Sequence, residues 1–264
     1  MQLIAADIGN SSTKVAVEHS GHADRWCLET IFRGDEPIEF DFQVLDITDE
    51  PAFWAVSSVN TTRLQRLTDW VSANRHHDKF HLIRPQDVNL QSDVESRDRL
   101  GRDRLIAAWQ AVQLNEGGPL IVIDAGTAVT IDLVSQENVF LGGLIFPGAH
   151  TNLKFLANET DALPDLADEG IACLKLEYGP GFLGKSTESA ILLGVYQAQM
   201  SAMKVAVQQL TKLVNTSSAV YLTGGGIQEI LQWLPDEWQF VPDLVLRGAR
   251  EIGRELLKLS SGKS

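Results

Sequence analysis

The chain has 264 residues and a formal net charge of −13, from 35 acidic against 22 basic side chains. Its length suits one large domain or two lobes of about 100 to 150 residues each. A hydrophobic fraction of 44% is enough for a substantial core. The negative charge argues against nucleic-acid binding, because a polyanion is repelled unless a basic patch overrides it, and the sequence has no such patch.

Targeting signals and disulfides are not expected. The start, MQLIAADIGN, has no basic segment, and its apolar run stops at Asp7. No stretch suggests the 18 or more apolar residues of a membrane helix. Cys27 and Cys173 lie far apart, which favours reduced, packed thiols. The sequence therefore predicts a cytoplasmic protein that binds neither nucleic acid nor a membrane.

The first predicted element is a strand, a tight turn and a second strand. The apolar run from Leu3 to Ala6 ends at Asp7-Ile-Gly-Asn-Ser-Ser, and the following TKVAVE alternates apolar and polar residues. A strand in PAFWAVSSV and helices in TRLQRLTDWVSANR and DRLIAAWQAVQLN come next.

The segment SRDRLGRDRL contains two RDR triplets. Taken alone, such a charge run is typical of a solvated helix start. A carboxylate here could also accept the proton of a substrate hydroxyl, and Asp98 and Asp103 are the two candidates.

The strand, turn and strand device occurs again in PLIVIDAGTAVTIDLV, with Asp124 in the place of Asp7 and a glycine two residues later. A repeated device indicates two similar lobes. We expect an N-terminal lobe of residues 1–116 and a C-terminal lobe of residues 117–264.

The later elements are a strand with a Gly/Pro turn in LGGLIFPG and a long helix beginning at STESAILLG. A strand, a glycine turn and a helix are then predicted in SAVYLTGGGIQEILQWL, and a terminal helix in EIGRELLKL.

The stretch GPGFLGKS fits the P-loop pattern G-x-x-x-x-G-K-[ST], in which backbone N–H groups surround phosphates. Pro180 removes one of those N–H groups, and no later strand ends in a lone Asp that could hold magnesium.

The pair Asp7 and Asp124 offers a rival site. Two carboxylates at strand ends can bind a cation or its water shell, the nearby glycines let the backbone approach phosphate, and Lys14 can neutralise it. Either Asp alone is equally consistent with a polar turn. The pair favours a nucleotide site.

The motifs DIGNSSTK, LGRDR, IDAGTAVT, GGLIFPG, GKST and YLTGGG follow one another between Asp7 and Gly226. In this order they resemble a type III pantothenate kinase of the acetate and sugar kinase, Hsp70 and actin superfamily. The resemblance implies an α/β fold of two similar actin-like (ribonuclease H-like) lobes with mixed sheets and an interlobe nucleotide cleft.

The resemblance also implies an activity: ATP-dependent phosphorylation of pantothenate to 4'-phosphopantothenate, the first step of coenzyme A biosynthesis. The implied cofactors are ATP with Mg²⁺ and a monovalent cation, K⁺ or NH₄⁺. The implied assembly is a homodimer.

Site roles follow from the same resemblance. Asp103 would be the general base, Asp124 would lie near the monovalent cation, and Asp7 would hold the magnesium shell. The other implied ATP-binding residues are Ile8, Gly9, Asn10, Ser11, Ser12, Thr13, Lys14 and Thr127. The implied substrate-binding residues are Gly101, Arg102, Asp103, Arg104 and Thr187.

One departure from the family pattern is visible. Relatives often carry a Tyr shortly before G-x-D-R that lines the pantothenate pocket, whereas QDVNLQSDVESRDRL contains no aromatic residue. Three alternatives stay open: a kinase of the same fold for another small hydroxyl compound, a non-catalytic regulatory accessory protein, and a true P-loop ATPase.

Overall fold

A computed structural model describes residues 1–18, 26–33 (as backbone), 47–171 and 183–260. The chain forms two compact units. The first consists of Met1–Leu90, Glu95–Gln110 and Asp243–Ser264, and the second of Gln91–Val94 and Ala111–Pro242. These units differ from the predicted division at residue 116 chiefly because the residues from Asp243 onward belong to the first unit.

A mixed sheet is the centre of the first unit. Its strands are β1 (Gln2–Ile8), β2 (Ser12–Glu18), β3 (Trp26–Arg33), β4 (Ala52–Ser58) and β5 (Lys79–Leu82). Within the described ranges the order is β3-β2-β1-β4-β5, with β1 antiparallel to β2 and parallel to β4. The strand that ends at Asp7 and Ile8 is therefore central.

Helices cover the two faces of this sheet because its strands are apolar on both sides. Helix α1 (Thr61–Asn74) contributes Leu67 and Val71 to a core with Ile4, Ile8 and Trp54. Helix α5 (Leu244–Ser260) packs against β1 and β4 on the other face. Asp7 alternates with Ile8 along the strand and so lies on the α5 face.

Asp78 fastens the end of α1 to the start of β4. Its carboxylate accepts hydrogen bonds from the Ala52 N–H at 2.9 Å, from Trp54 Nε1 at 2.8 Å and from Arg75 Nε at 2.8 Å. Burial acts to raise the pKa of Asp78, but the hydrogen bonds, led by that from Arg75, bring it below the usual value. The ionised carboxylate is therefore the form that the fold stabilises.

The second unit contains a second mixed sheet. Its strands are β6 (Gln91–Ser92), β7 (Leu120–Ala125), β8 (Ala128–Val134), β9 (Val139–Pro147), β10 (Ala219–Thr223) and β11 (Gln239–Phe240). The order in the described chain is β11-β10-β7-β8-β9-β6, with β7 antiparallel to β8 and parallel to β10. Strand β7 is thus arranged like β1, with the following strand antiparallel on one side and a later strand parallel on the other. The repeat and the mixed α/β fold class predicted from the sequence are confirmed.

Three further helices complete the described chain: α2 (Arg102–Leu114), α3 (Ala149–Glu159) and α4 (Thr187–Leu213). Helix α4 packs against α3, β7 and β8, and it buries Leu192, Tyr196 and Met203 in the core of the second unit. By length and composition alone α4 could cross a membrane, although 44% of its apolar window is buried inside the unit. The sequence had indicated no such segment.

The prediction of a helix after the TGGG turn is wrong. Short 3₁₀ turns occupy Gly225–Ile227 and Leu231–Trp233 instead. Ile227, Ile230 and Leu234 are buried at spacings of three and four residues, which also fits two successive turns. Strands β3, β5, β6 and β11 and helix α3 were not predicted. Cys27 lies in β3, whereas Cys173 and GPGF of the P-loop match lie outside the described residues.

Candidate active site

The first polar turn joins β1 to β2. Asp7 is half-buried at the end of β1 and is paired in register with Lys14 of β2 and with Ser57 of β4. The Ser57 hydroxyl is buried and has no hydrogen-bond partner among the described residues. These three residues form one polar row across the sheet, on the α5 face.

Backbone geometry keeps this turn tight. The Gly9 N–H donates to the Ser12 carbonyl oxygen at 2.9 Å, and a methyl group on Gly9 would lie 3.3 Å from the same oxygen. Asn10 and Ser11 are exposed at the tip, whereas Ile8 and Thr13 turn their buried side chains toward the α1 face. At those two positions only the backbone is left to contact a ligand.

Lys14 is paired with a residue that the sequence did not bring to attention. Its Nζ lies 2.6 Å from Oδ1 of Asp243, the residue immediately before α5. The two are 229 positions apart, so neither a motif nor a local spacing links them. The segment VPDLVL gave one weak signal, an Asp directly before a helical pattern.

Asp103 lies in the first turn of α2 and is half-buried. Its Oδ1 accepts a hydrogen bond from the Arg104 backbone N–H at 2.8 Å. Burial raises the pKa of Asp103, while the Arg104 N–H and the Arg104 charge act in the opposite direction. A carboxylate with a raised pKa is a stronger base, so this group is suited to accept a proton.

Glycine at position 101 leaves room for that carboxylate. A methyl group on Gly101 would lie 2.6 Å from Oδ1 of Asp103. Arg102, the next residue, donates from Nη1 to the Ser58 carbonyl oxygen at 3.1 Å, which ties the start of α2 to the end of β4. The G-x-D-R pattern therefore has a local structural basis.

The first RDR triplet has a different role. The Arg97 guanidinium donates to the Pro85 and Val88 carbonyl oxygens, each at 2.9 Å, and also to that of Leu90. Asp98, the competing candidate base, is exposed on a 3₁₀ turn. Burial thus distinguishes Asp103 from Asp98.

The second polar turn joins β7 to β8. Asp124 is half-buried and is paired in register with Thr130 and Thr223. The exposed Thr127 is fixed through its carbonyl oxygen, which accepts from the Gly148 N–H at 2.9 Å and from Thr151 Oγ1 at 2.6 Å. Its backbone is therefore anchored on Gly148 and on the first turn of α3.

Oxygen atoms converge beside Gly224 of the TGGG turn. A methyl group there would lie 2.4 Å from both Oδ1 of Asp124 and the Ala125 carbonyl oxygen, and the φ angle of Gly224 is 94°. Carboxylate and carbonyl oxygens are ligands for hard cations. This donor set fits a cation, although no group of three or more His, Cys, Asp or Glu side chains occurs among the described residues.

The GKST stretch begins α4. Ser186 is the N-cap, and its Oγ accepts from the Ser189 N–H at 3.2 Å. A methyl group on Gly184 would lie 2.3 Å from the Ala190 nitrogen, so glycine is required by packing. Thr187 is exposed in the first turn of the helix. Capping and packing account for the glycine and the serine of the P-loop match.

The two sheets belong to the actin-like class of folds. A structure described as a conserved Baf family transcriptional activator from Campylobacter jejuni is similar with a TM-score of 0.59 and 22% identity, covering 97% of this chain and 99% of that one. An archaeal actin homolog is similar with a TM-score of 0.50 and 12% identity, covering 97% and 100%. These likenesses establish the fold.

The family is defined by sequence. The type III pantothenate kinase family model matches residues 3–209, so the chain belongs to this family. Type III pantothenate kinases from Rhodopirellula baltica and Porphyromonas gingivalis are 35% and 38% identical over 176 and 168 residues. These matches cover 66% and 64% of this chain but only 62% and 65% of the two relatives. The one from Fervidobacterium nodosum is 30% identical, with 93% of this chain and 94% of that protein covered.

Proposed function

We propose that this protein phosphorylates pantothenate with ATP to give 4'-phosphopantothenate, the first step of coenzyme A biosynthesis. The observation that carries the proposal is Asp103, a half-buried carboxylate of raised pKa, fixed at the start of α2 inside the G-x-D-R motif. Membership of the type III pantothenate kinase family supports the choice of substrate.

Asp103 acts as general base in this proposal. As the primary hydroxyl oxygen of pantothenate forms a bond to the γ-phosphorus of ATP, its proton passes to the Asp103 carboxylate and the bond to the ADP oxygen breaks. The missing side chain of Gly101 leaves room for the carboxylate, and Arg102 ties the start of α2 to the end of β4. Arg104 and Thr187 bind the substrate, with the Arg104 guanidinium pairing with its carboxylate or with the transferred group.

The first polar turn binds the ATP phosphates. Gly9 to Ser12 offer backbone N–H groups and hydroxyls, and the Lys14 ammonium neutralises phosphate charge. Asp7, with the buried Ser57 hydroxyl beside it in register, suits the water shell of Mg²⁺, which neutralises charge on the transferring phosphoryl group when bound.

The second polar turn holds a monovalent cation and contacts ATP. Asp124 and the Ala125 carbonyl supply oxygen ligands for K⁺ or NH₄⁺, and Thr127 contributes its exposed side chain to the nucleotide. Comparing turnover in potassium, ammonium and sodium salts tests this assignment, because the Asp124→Asn variant should lose most of the dependence on the cation.

The deciding experiment measures ADP release with ATP, Mg²⁺ and K⁺, with and without pantothenate. We expect pantothenate-dependent turnover that falls about 10²- to 10⁴-fold in Asp103→Asn. Asp98→Asn, which changes the exposed neighbour, is the matched control and should retain activity. Wild-type protein that releases no ADP above background under any cation condition would refute the assignment.

Two other functions remain as second candidates. The absence of an aromatic residue in QDVNLQSDVESRDRL favours a kinase for another small hydroxyl compound, which a substrate panel tests. The likeness to a structure described as a transcriptional activator favours a non-catalytic regulator. Pantothenate-dependent ADP release would exclude both.

We further propose a cytoplasmic homodimer that binds neither nucleic acid nor a membrane. The formal charge of −13 supports the absence of nucleic-acid binding. A mass of one chain in light scattering at assay concentration would contradict the dimer.

A further inference from the structure

We propose that Asp243 is a positioning residue for ATP, acting through the ammonium group of Lys14. The inference rests on the proposed function, in which Lys14 binds the nucleotide phosphates. It adds a residue from the start of α5 to a site otherwise built from motif residues.

The contact between the two side chains is close and partly shielded from solvent. Nζ of Lys14 lies 2.6 Å from Oδ1 of Asp243, and the side chains are 31% and 15% exposed. Within the described residues, neither charged group bonds to another side chain. Each group is therefore oriented by the other.

This contact leaves Lys14 able to bind a ligand. An ammonium group has three N–H donors, and Asp243 takes one, so two stay available for phosphate oxygens. A lysine side chain loses rotamer freedom when a ligand orders it, and a partner that orders it beforehand removes that cost from binding. In this proposal the saved ordering cost exceeds the repulsion between the Asp243 carboxylate and phosphate, so the carboxylate strengthens the interaction with ATP.

The backbone of Asp243 is fixed independently of Lys14. Its φ angle is 56°, in the left-handed region that Asp tolerates better than most residues. Its carbonyl oxygen accepts the Arg247 N–H at 2.9 Å and so begins α5, which packs on β1. The position of the carboxylate is consequently set by a helix held against the strand of Asp7.

A purely structural role for Asp243, as the residue that starts α5, makes a different prediction. If it acts only on the helix, its loss should weaken ATP binding equally with or without Lys14. If it acts through Lys14, its loss should matter only when the ammonium group is present. A double-mutant cycle separates the two.

The experiment measures the ATP Kd by titration calorimetry for wild type, Lys14→Met, Asp243→Gly and the double variant. Glycine suits the positive φ and removes only the carboxylate side chain. We expect Kd to rise about 30-fold in Lys14→Met and about 3- to 10-fold in Asp243→Gly. The double variant should match Lys14→Met within about twofold.

Two controls complete the design. Asn215→Gly makes the same backbone change at a φ of 54° in the second unit and should leave Kd unchanged. Asp243→Asn keeps an acceptor oxygen for Lys14 and should weaken binding by only about twofold.

The outcomes are distinct. Additive effects in the double variant, or an unchanged Kd in Asp243→Gly, would overturn this inference and leave the proposed kinase function standing. Wild-type protein that does not bind ATP, or a Lys14→Met variant of unchanged Kd, would overturn the role of Lys14 and this inference with it.

Discussion

The two polar turns share a position in their sheets but differ in chemistry. Asp7 and Asp124 are each the penultimate residue of an inner strand, which lies between an antiparallel neighbour and a parallel one. Asp7 is paired in register with Lys14, whose ammonium group contacts the Asp243 carboxylate. Asp124 is paired in register with the uncharged Thr130. In the proposed function, the first turn therefore offers the Lys14 ammonium to phosphate, and the second offers oxygen atoms to a cation.

The turns also differ in how firmly the backbone encloses them. A methyl group on Gly9 meets its nearest atom at 3.3 Å, but a methyl group on Gly148 would lie 2.1 Å from the Gly126 carbonyl oxygen. Each turn has one backbone hydrogen bond of its own, from Gly9 N–H to the Ser12 oxygen and from Gly126 N–H to the Ala128 oxygen, both at 2.9 Å. The difference is that the second turn is also packed closely against the backbone of Gly148. The repeated strand, turn and strand unit therefore occurs once with a charged turn, between β1 and β2, and once with a closely packed turn, between β7 and β8.

Among the substitutions that compare the two turns, the largest effect is expected in the packed turn. Gly148→Ala forces the loop after β9 away from Gly126 and should reduce the free energy of unfolding by about 3 kcal/mol. Gly9→Ala requires only a small shift and should cost about 1 kcal/mol or less. Urea unfolding measures both, and equal losses would contradict the distinction between the turns.

Removing charge from the first turn should come next. Lys14→Met loses a charge-assisted interaction with phosphate and should raise the KM for ATP about 10- to 100-fold, because such bonds contribute about 1.5–3 kcal/mol. Thr130→Val, at the matching position of the second turn, should change this KM by less than about threefold. Steady-state kinetics in ATP checks the pair, and a larger effect of Thr130→Val would reverse their assigned roles.

Gly101→Ala should lower kcat moderately and change stability little. The methyl group would displace the Asp103 carboxylate, a flexible side-chain end, so we expect kcat to fall about 10-fold with a stability loss of about 1 kcal/mol or less. Gly194→Ala on α4 meets nothing within 4 Å and should leave kcat unchanged. Unchanged kcat in Gly101→Ala would remove the structural reason for this glycine.

The smallest effect is expected on the pH dependence of stability. Two carboxylates of the first unit, Asp103 and Asp78, should change the free energy of unfolding in opposite directions as the pH rises. Burial raises the pKa of Asp103 above 3.8, so its charge disfavours folding once the pH exceeds that value. Any stability from Asp103 is present below the unfolded-state pKa and is lost as pH rises through the folded-state pKa. Asp103→Asn should therefore gain stability relative to wild type between acid and neutral pH.

Asp78 should show the reverse. Its pKa lies below 3.8 in the folded state, so its contribution is present above the unfolded-state pKa and is lost as pH falls through the folded-state value. Asp78→Asn should lose stability at neutral pH and approach wild type in acid. Thermal unfolding across pH tests both variants, and slopes of equal sign would contradict the assigned causes.

The sequence predicted the features that depend on local pattern. Alternation and apolar runs indicated the hairpins that end β1 and β7, and the repeat of Asp followed by Gly indicated the duplicated sheets. The family resemblance drew attention to Asp103 and Arg104. Each of these signals lies within a few residues of its own motif.

Features that depend on distant contacts were not predictable. The proposed role of Asp243 requires α5 to pack near β1 and β2, and Asp243 lies 229 positions after Lys14 in the chain. The need for glycine at position 148 appears only when the loop after β9 lies against Gly126. The apolar spacing of IQEILQWL fitted a helix equally well, but the segment forms short 3₁₀ turns.

The placement of α5 also affects how the chain folds during synthesis. The first unit starts with β1 but is complete only when the residues from Asp243 onward have been added, after the whole of the second unit. On the ribosome, all residues of the second unit are synthesised first. The face of the first sheet that carries Asp7 stays exposed until α5 has been synthesised. Premature termination before Asp243 would thus leave apolar strands exposed to aggregation rather than yield a shortened enzyme.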